Sequence, residues 1–173
     1  MKNFESSRKV NAIKKEEEMS KLQLTKRTTL SVSRQQNLIE LLEYIFDGRY
    51  SSLSEIMFEF FRGRRTVYRM LTVVNPYGAI ISSLDLNFRT TFSFNRNLSE
   101  KELDRVFETK KDTPFVYLYL KSLIRELNGS RVNISEIQEI FACTKRQAIS
   151  KRNQIFEAAH HGDFEVFEGE EWY

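Results

Sequence analysis

Lys26-Arg27-Thr28-Thr29-Leu30-Ser31-Val32-Ser33, followed after a helical period by Tyr50-Ser51-Ser52-Leu53-Ser54-Glu55-Ile56, is the stretch on which the fold reading turns. The first eight residues are β-prone and alternate. Thr28, Leu30 and Val32 share one face, while Arg27, Thr29, Ser31 and Ser33 share the other. Beyond Ser33 the period changes to that of a helix over about 34–47, with Leu38, Leu41, Leu42, Ile45 and Phe46 on one side. Asp47-Gly48 ends this helix, the glycine being suited to a left-handed C-terminal residue. Ser52 and Glu55 form a capping box for a second helix over about 52–62, whose apolar side is Ile56, Met57, Phe60 and Phe61. Gly63 with Arg64 and Arg65 marks an end or a hinge.

The order strand, helix, capped helix resembles the ribbon-helix-helix family of DNA-binding regulators, which includes CopG, Arc and MetJ. The resemblance covers roughly 40 residues, a span too small to bury its own apolar face. It implies an obligate homodimer in which two copies pair their strands into an antiparallel ribbon over a shared helical core. Such a ribbon fits the major groove of B-DNA, about 12 Å wide. The implied base-reading residues are Lys26, Arg27, Thr29, Ser31 and Ser33. Ser51, Ser52 and Leu53, at the start of the second helix, would clamp a phosphate through backbone N–H groups. Phe58 and Phe60 depart from the family pattern and point to a surface covered by the rest of the chain. The competing reading of 26–33 is an edge strand of a mixed domain with a solvated polar face.

Further along, residues 66–98 carry few signals beyond the turn Asn75-Pro76-Tyr77-Gly78 and strand character over 89–95. Ser99 and Glu102 open another helix. Thr113-Pro114 precedes a helix over 115–127 that closes at Gly129, and its aromatic run 115–119 reads as core. Two helical stretches, about 134–142 and 145–160, are separated by a short turn. With 115–127 as the supporting helix, they resemble a helix-turn-helix. Thr144 caps the second helix, which presents Lys145, Arg146, Gln147, Ser150 and Lys151, residue types that reach phosphates and base edges from a major groove. Gln138 and Ala142 depart from that pattern, where Ala and Gly are usual. Residues 163–173 suggest a hairpin in the place of a wing, but Asp163, Glu165, Glu168, Glu170 and Glu171 would repel phosphates. A protein partner, or the chain's own body, suits this acidic hairpin better.

The expected fold is therefore mainly α with short β: a charged arm (1–24), a ribbon-helix-helix module (25–65), a connecting segment (66–98) and a helical helix-turn-helix or winged-helix-like domain (99–173). No internal repeat is evident to this reading. Within 173 residues, residues 1–160 hold all 27 Lys and Arg against 19 Asp and Glu, a net +8, and the last 13 carry a net −5. A basic body suits a polyanionic partner. Aromatic residues make up 13 %, too many for a fully disordered chain. No apolar run reaches the roughly 18 residues of a membrane helix, and no signal-peptide core stands at the N-terminus. A single cysteine, Cys143, excludes an intrachain disulfide and reads as a packed thiol. His160 and His161 sit near a helix end rather than in a metal-ligand spacing. Asp104 and Asp112 lack partners for a two-metal centre. No catalytic residue, metal or cofactor is expected. The chain reads as a cytoplasmic, sequence-specific double-stranded DNA-binding regulator, a dimeric repressor of a prokaryotic cell or of its plasmids or viruses. Plasmid or virus partition, relaxase-accessory work and a non-DNA-binding oligomeric interaction protein are the alternatives.

Overall fold

In the computed structural model, residues 29–166 are described. The chain divides into two compact units, Met1–Ser31 and Val32–Tyr173. Of the first, residues 29–31 are described and carry no strand. The second is mainly helical with a small antiparallel sheet of three strands.

Among the described residues seven helices and three strands follow one another: α1 (Val32–Asp47), β1 (Ser51–Ser52), α2 (Leu53–Phe60), α3 (Arg64–Val74), a turn of 3-10 helix (Asn75–Tyr77), β2 (Ile80–Leu84), β3 (Thr90–Phe94), α4 (Glu100–Thr109), α5 (Pro114–Asn128), α6 (Ile134–Phe141) and α7 (Lys145–Phe156). The expected strand over 26–33 is corrected at its end, because Val32 and Ser33 already belong to α1. An alternation over only eight residues is a weak signal. The tertiary structure also needs Gln35 in the first turns of α1, where its buried Oε1 accepts from the backbone N–H of Phe115 at 2.8 Å. Residues 26–28 lie outside the described residues.

The capping signals hold. Ser52 and Glu55 close a reciprocal box at the start of α2. Ser99 caps α4, Pro114 opens α5, and Gly129 closes α5 at φ 71°. Gly48, by contrast, follows α1 without a positive φ. Its lack of a side chain serves a close approach, since a Cβ there would stand 2.8 Å from Ser51 Oγ.

Residues 66–98, expected as a connection, are built into the fold. The chain leaves α2 through Phe61, which takes a left-handed conformation (φ 49°), and enters α3 at Gly63. β2 and β3 then form a hairpin, and β1 pairs with the other edge of β3, giving the order β1-β3-β2 with Ser51 opposite Phe92. The segment Arg64–Val74 is rich in Thr, Val and Tyr, which lower helix propensity. It is held helical by burying Val67, Leu71 and Val74.

The two halves share one layout, a repeat that the sequence reading does not find. α5, Val132, α6 and α7 repeat α1, Ser51, α2 and α3 at an offset of 81 residues (134 − 53 and 145 − 64). In each half an eight-residue capped helix ends in a left-handed residue (Phe61, Ala142), and three residues lead to the next helix. The buried pairs Ile39 and Leu120, Leu42 and Leu123, Ile56 and Ile137, Val67 and Ala148, and Val74 and Ile155 keep the same offset. Val132 makes a single parallel bridge to Phe164 in place of a strand pair.

α5 runs through the shared core, its residues Phe115 to Leu120 all buried, and it packs against α1, α4, α6 and α7. Arg125 ties it to its neighbours through Glu100 on α4 and Glu136 on α6. Buried Glu43 on α1 accepts from the backbone N–H of His160 (2.6 and 2.8 Å) and of His161 (2.5 Å), while Tyr119 Oη donates to it at 3.5 Å.

The His161 ring donates to Asp47 at 2.6 Å and lies 3.4 Å from Glu126. Burial opposes its charged form, but the hydrogen bond to Asp47 and the charges of Asp47, Glu126 and Glu43 outweigh burial and raise its pKa above 6.5. A raised folded-state pKa contributes stability below the unfolded value and loses it as pH climbs through the folded value. Thermal midpoints should therefore drop over a pH interval beginning near 6.5, and His161→Gln should flatten that part of the profile.

Candidate nucleic-acid interface

α3 carries the most cationic exposed face among the described helices. Val67, Leu71 and Val74 point into the core, so the 3.6-residue period turns Arg64, Arg65, Thr66, Tyr68, Arg69 and Thr72 to solvent. Arg62 precedes them in the turn, and no carboxylate stands between Glu59 and Asp85 in the chain. The Arg64 guanidinium lies 5.7 Å from the centre of the Tyr68 ring. The N-cap residue is Gly63, which offers no side-chain acceptor. The first-turn N–H groups therefore add a partial positive charge to the arginines.

The β2–β3 hairpin follows α3 in the chain, and its residues 81–89 are all exposed. Asp85 shapes its tip. One carboxylate oxygen accepts from the N–H groups of Asn87 and Arg89, both at 2.8 Å, and the backbone closes between Asp85 and Arg89 at 3.0 Å. Leu86 (99 % exposed) and Phe88 (83 % exposed, φ 59°) stand on this tip.

The second helix pair presents the face expected from the sequence, with some of its side chains already engaged. Lys145, Arg146 and Ser150 are exposed. Thr144 and Gln147 spend their oxygens on each other's backbone in a capping box. Lys151 is half-buried, its ammonium 4.8 Å from the centre of the Phe141 ring and 5.5 Å from that of Phe115. Between α6 and α7 lies an open hollow of about 430 Å³, lined by Phe141, Cys143 and Gln154 among others. Cys143 is half-buried rather than fully packed.

The other expected site residues are spread out. Thr29, Ser31 and Ser33 are exposed, Ser33 on the first turn of α1, while Lys26 and Arg27 lie outside the described residues. Ser51 is buried in β1, the Ser52 hydroxyl accepts from Glu55 N–H, and Leu53 is half-buried. Phe58, expected under cover, is 78 % exposed, whereas Phe60 packs edge-on against Tyr44 with ring centres 5.6 Å apart.

Of the expected acidic hairpin, residues 163–166 are described. Asp163 pairs with Arg131 at 3.2 Å. The Glu165 carboxylate accepts from Ile134 N–H at the start of α6, where the helix dipole favours an anion. Among the described residues no three His, Cys, Asp or Glu side chains are grouped to hold a metal ion, and no helix is long and apolar enough to cross a membrane.

The sequence reading takes Arg64 and Arg65 as a helix end or hinge and gives Arg69 no role, whereas all three lie on α3; a signal for their position exists. Leu53-Ser54-Glu55-Ile56 and Ile134-Ser135-Glu136-Ile137 stand 81 residues apart, so Arg64 and Arg65 correspond to Lys145 and Arg146. Comparison of the chain with protein-family models, with curated proteins and with solved structures finds no match.

Proposed function

We propose that this chain is a double-stranded DNA-binding regulator that reads the major groove with α3. The observation that carries the reading is the group Arg62, Arg64, Arg65 and Arg69, exposed on a helix held by a buried apolar face and on the turn before it, and followed by an exposed hairpin. The order helix, short strand, helix, turn, helix, hairpin is that of a winged helix, in which the later helix of the pair lies in the groove. α6 and α7 supply a second, less cationic contact through Lys145 and Arg146. The regulator acts by covering a promoter, and no chemical step is required.

This placement differs from the ribbon reading in a measurable way. A ribbon made by two copies would have to end by Ser31, because α1 begins at Val32. Arg27→Ala then tests the ribbon and Arg65→Ala tests α3. Fluorescence anisotropy with labelled duplexes over a salt series checks the reading as a whole. Each neutralised phosphate should contribute about −0.9 to the slope of log affinity against log salt. Lys145→Ala together with Arg146→Ala should lower that slope by up to about 2 if α7 meets phosphates. Absence of any retained duplex at low salt overturns the proposal.

A second reading, as an oligomeric interaction protein, is favoured by Phe58 and Phe61, which are 78 % and 89 % exposed with ring centres 6.4 Å apart. Phe61 takes its positive φ as the left-handed residue that closes α2, a place where glycine is usual, so a ring kept there costs stability. Phe58→Ser with Phe61→Gly should dissociate an assembly held by these rings, as read by sedimentation velocity.

A further inference from the structure

We infer that the β2–β3 hairpin is a DNA-deforming wedge, its Leu86 and Phe88 entering the minor groove and prising apart a base step. The inference rests on the proposed DNA binding by α3 and goes beyond it, since it assigns a mechanical action on the duplex to a separate element.

Four features of the tip support it. Leu86 and Phe88 are among the most exposed apolar side chains described, at 99 % and 83 %. The tip that carries them is ordered by Asp85, which holds the N–H groups of Asn87 and Arg89. Phe88 occupies the left-handed region, where a glycine or asparagine would sit without strain. An aromatic residue held there against its backbone preference, and against water, indicates that the ring itself is wanted. Finally, exposed Arg89 lies beside the two apolar residues and is suited to the negative potential of a narrow minor groove.

The occupant follows from charge. The hairpin continues the segment that begins with Arg62, Arg64, Arg65 and Arg69, and Asp85 is the first carboxylate after Glu59. One oxygen of the exposed Asp85 carboxylate is engaged by the tip's own backbone, and Arg89 offsets its charge. Leucine and phenylalanine are residue types that architectural proteins insert between base pairs, producing kinks of about 20–90°. Flexible pyrimidine–purine steps such as TA and CA would be the preferred points of entry.

The test uses the full chain and a duplex selected from a random pool, labelled at both ends for energy transfer and carrying 2-aminopurine at TA and CA steps. Binding should raise end-to-end transfer and 2-aminopurine fluorescence. Leu86→Ser with Phe88→Gly should abolish both signals while anisotropy still registers a bound duplex. Glycine suits a positive φ, so this variant should melt no lower than the parent chain. A bound but straight and fully stacked duplex overturns the wedge and leaves the α3 reading standing. A bend unchanged in the variant also overturns the wedge. Failure of the parent chain to retain any duplex removes both proposals. Loss of self-association in the variant, with bending intact, reassigns the tip to a protein contact.

Discussion

Arg65→Ala and Arg69→Ala are each expected to lower affinity for a selected duplex by about 1–3 kcal/mol, roughly fivefold to a hundredfold for either change alone. The two residues stand one turn apart on the exposed face of α3, so both can reach one groove segment. A guanidinium set bidentate on guanine O6 and N7 specifies a base, whereas one on a phosphate only positions the helix. The two roles separate in the measurement. A base contact costs affinity on the selected site and spares random duplex, while a phosphate contact costs affinity on both and reduces the salt slope by about 1. Because both side chains are exposed, thermal stability should stay within about 0.5 kcal/mol of the parent chain. Unchanged binding to every duplex would remove α3 as the reading element.

Replacing Glu43 by leucine is expected to produce the largest stability change, a loss of roughly 2–4 kcal/mol, because the backbone N–H groups of His160 and His161 lose their acceptor. At this chain length that corresponds to a midpoint lowered by roughly 5–15 °C. The position has a structural consequence as well. Glu43 lies on the first helix of one repeat and holds the segment that follows the last helix of the other, so the variant loosens one half against the other. Glu43→Gln keeps one acceptor oxygen and should lose about half as much. An unaltered melting temperature in the leucine variant would mean that water satisfies both N–H groups without cost.

How much of this was legible depends on whether a signal is local. The capping residues Ser52, Ser99 and Thr144, the first-turn Pro114 and the terminal Gly129 place helix ends correctly, because a cap is a contact within one turn of chain. The aromatic run from Phe115 is core, as its helical context suggests. α3 is less readable. Its Thr, Val and Tyr content suits a strand, and burial of Val67, Leu71 and Val74 decides for the helix. β1 has two residues and no pattern of its own, and it becomes a strand only opposite Phe92 and Thr91. The repeated layout is hidden because identical residues are few. What the halves share is the burial pattern, and Ser54-Glu55-Ile56 against Ser135-Glu136-Ile137 is the short run in which it surfaces as identity.

From its sequence alone this protein is a helix-rich chain with a basic body, capped helices at known places and a cationic face on the helix after Thr144. Each of these depends on neighbours within a few residues or on composition. Tertiary structure alone placed the arginines of α3 on an exposed face, made a sheet edge of Ser51 and Ser52, and revealed two helix pairs of one design, α2 with α3 and α6 with α7. The reason is that burial is a property of the whole packed unit. A helix whose own propensities are weak, and a strand of two residues, take their form from surfaces supplied by distant parts of the chain.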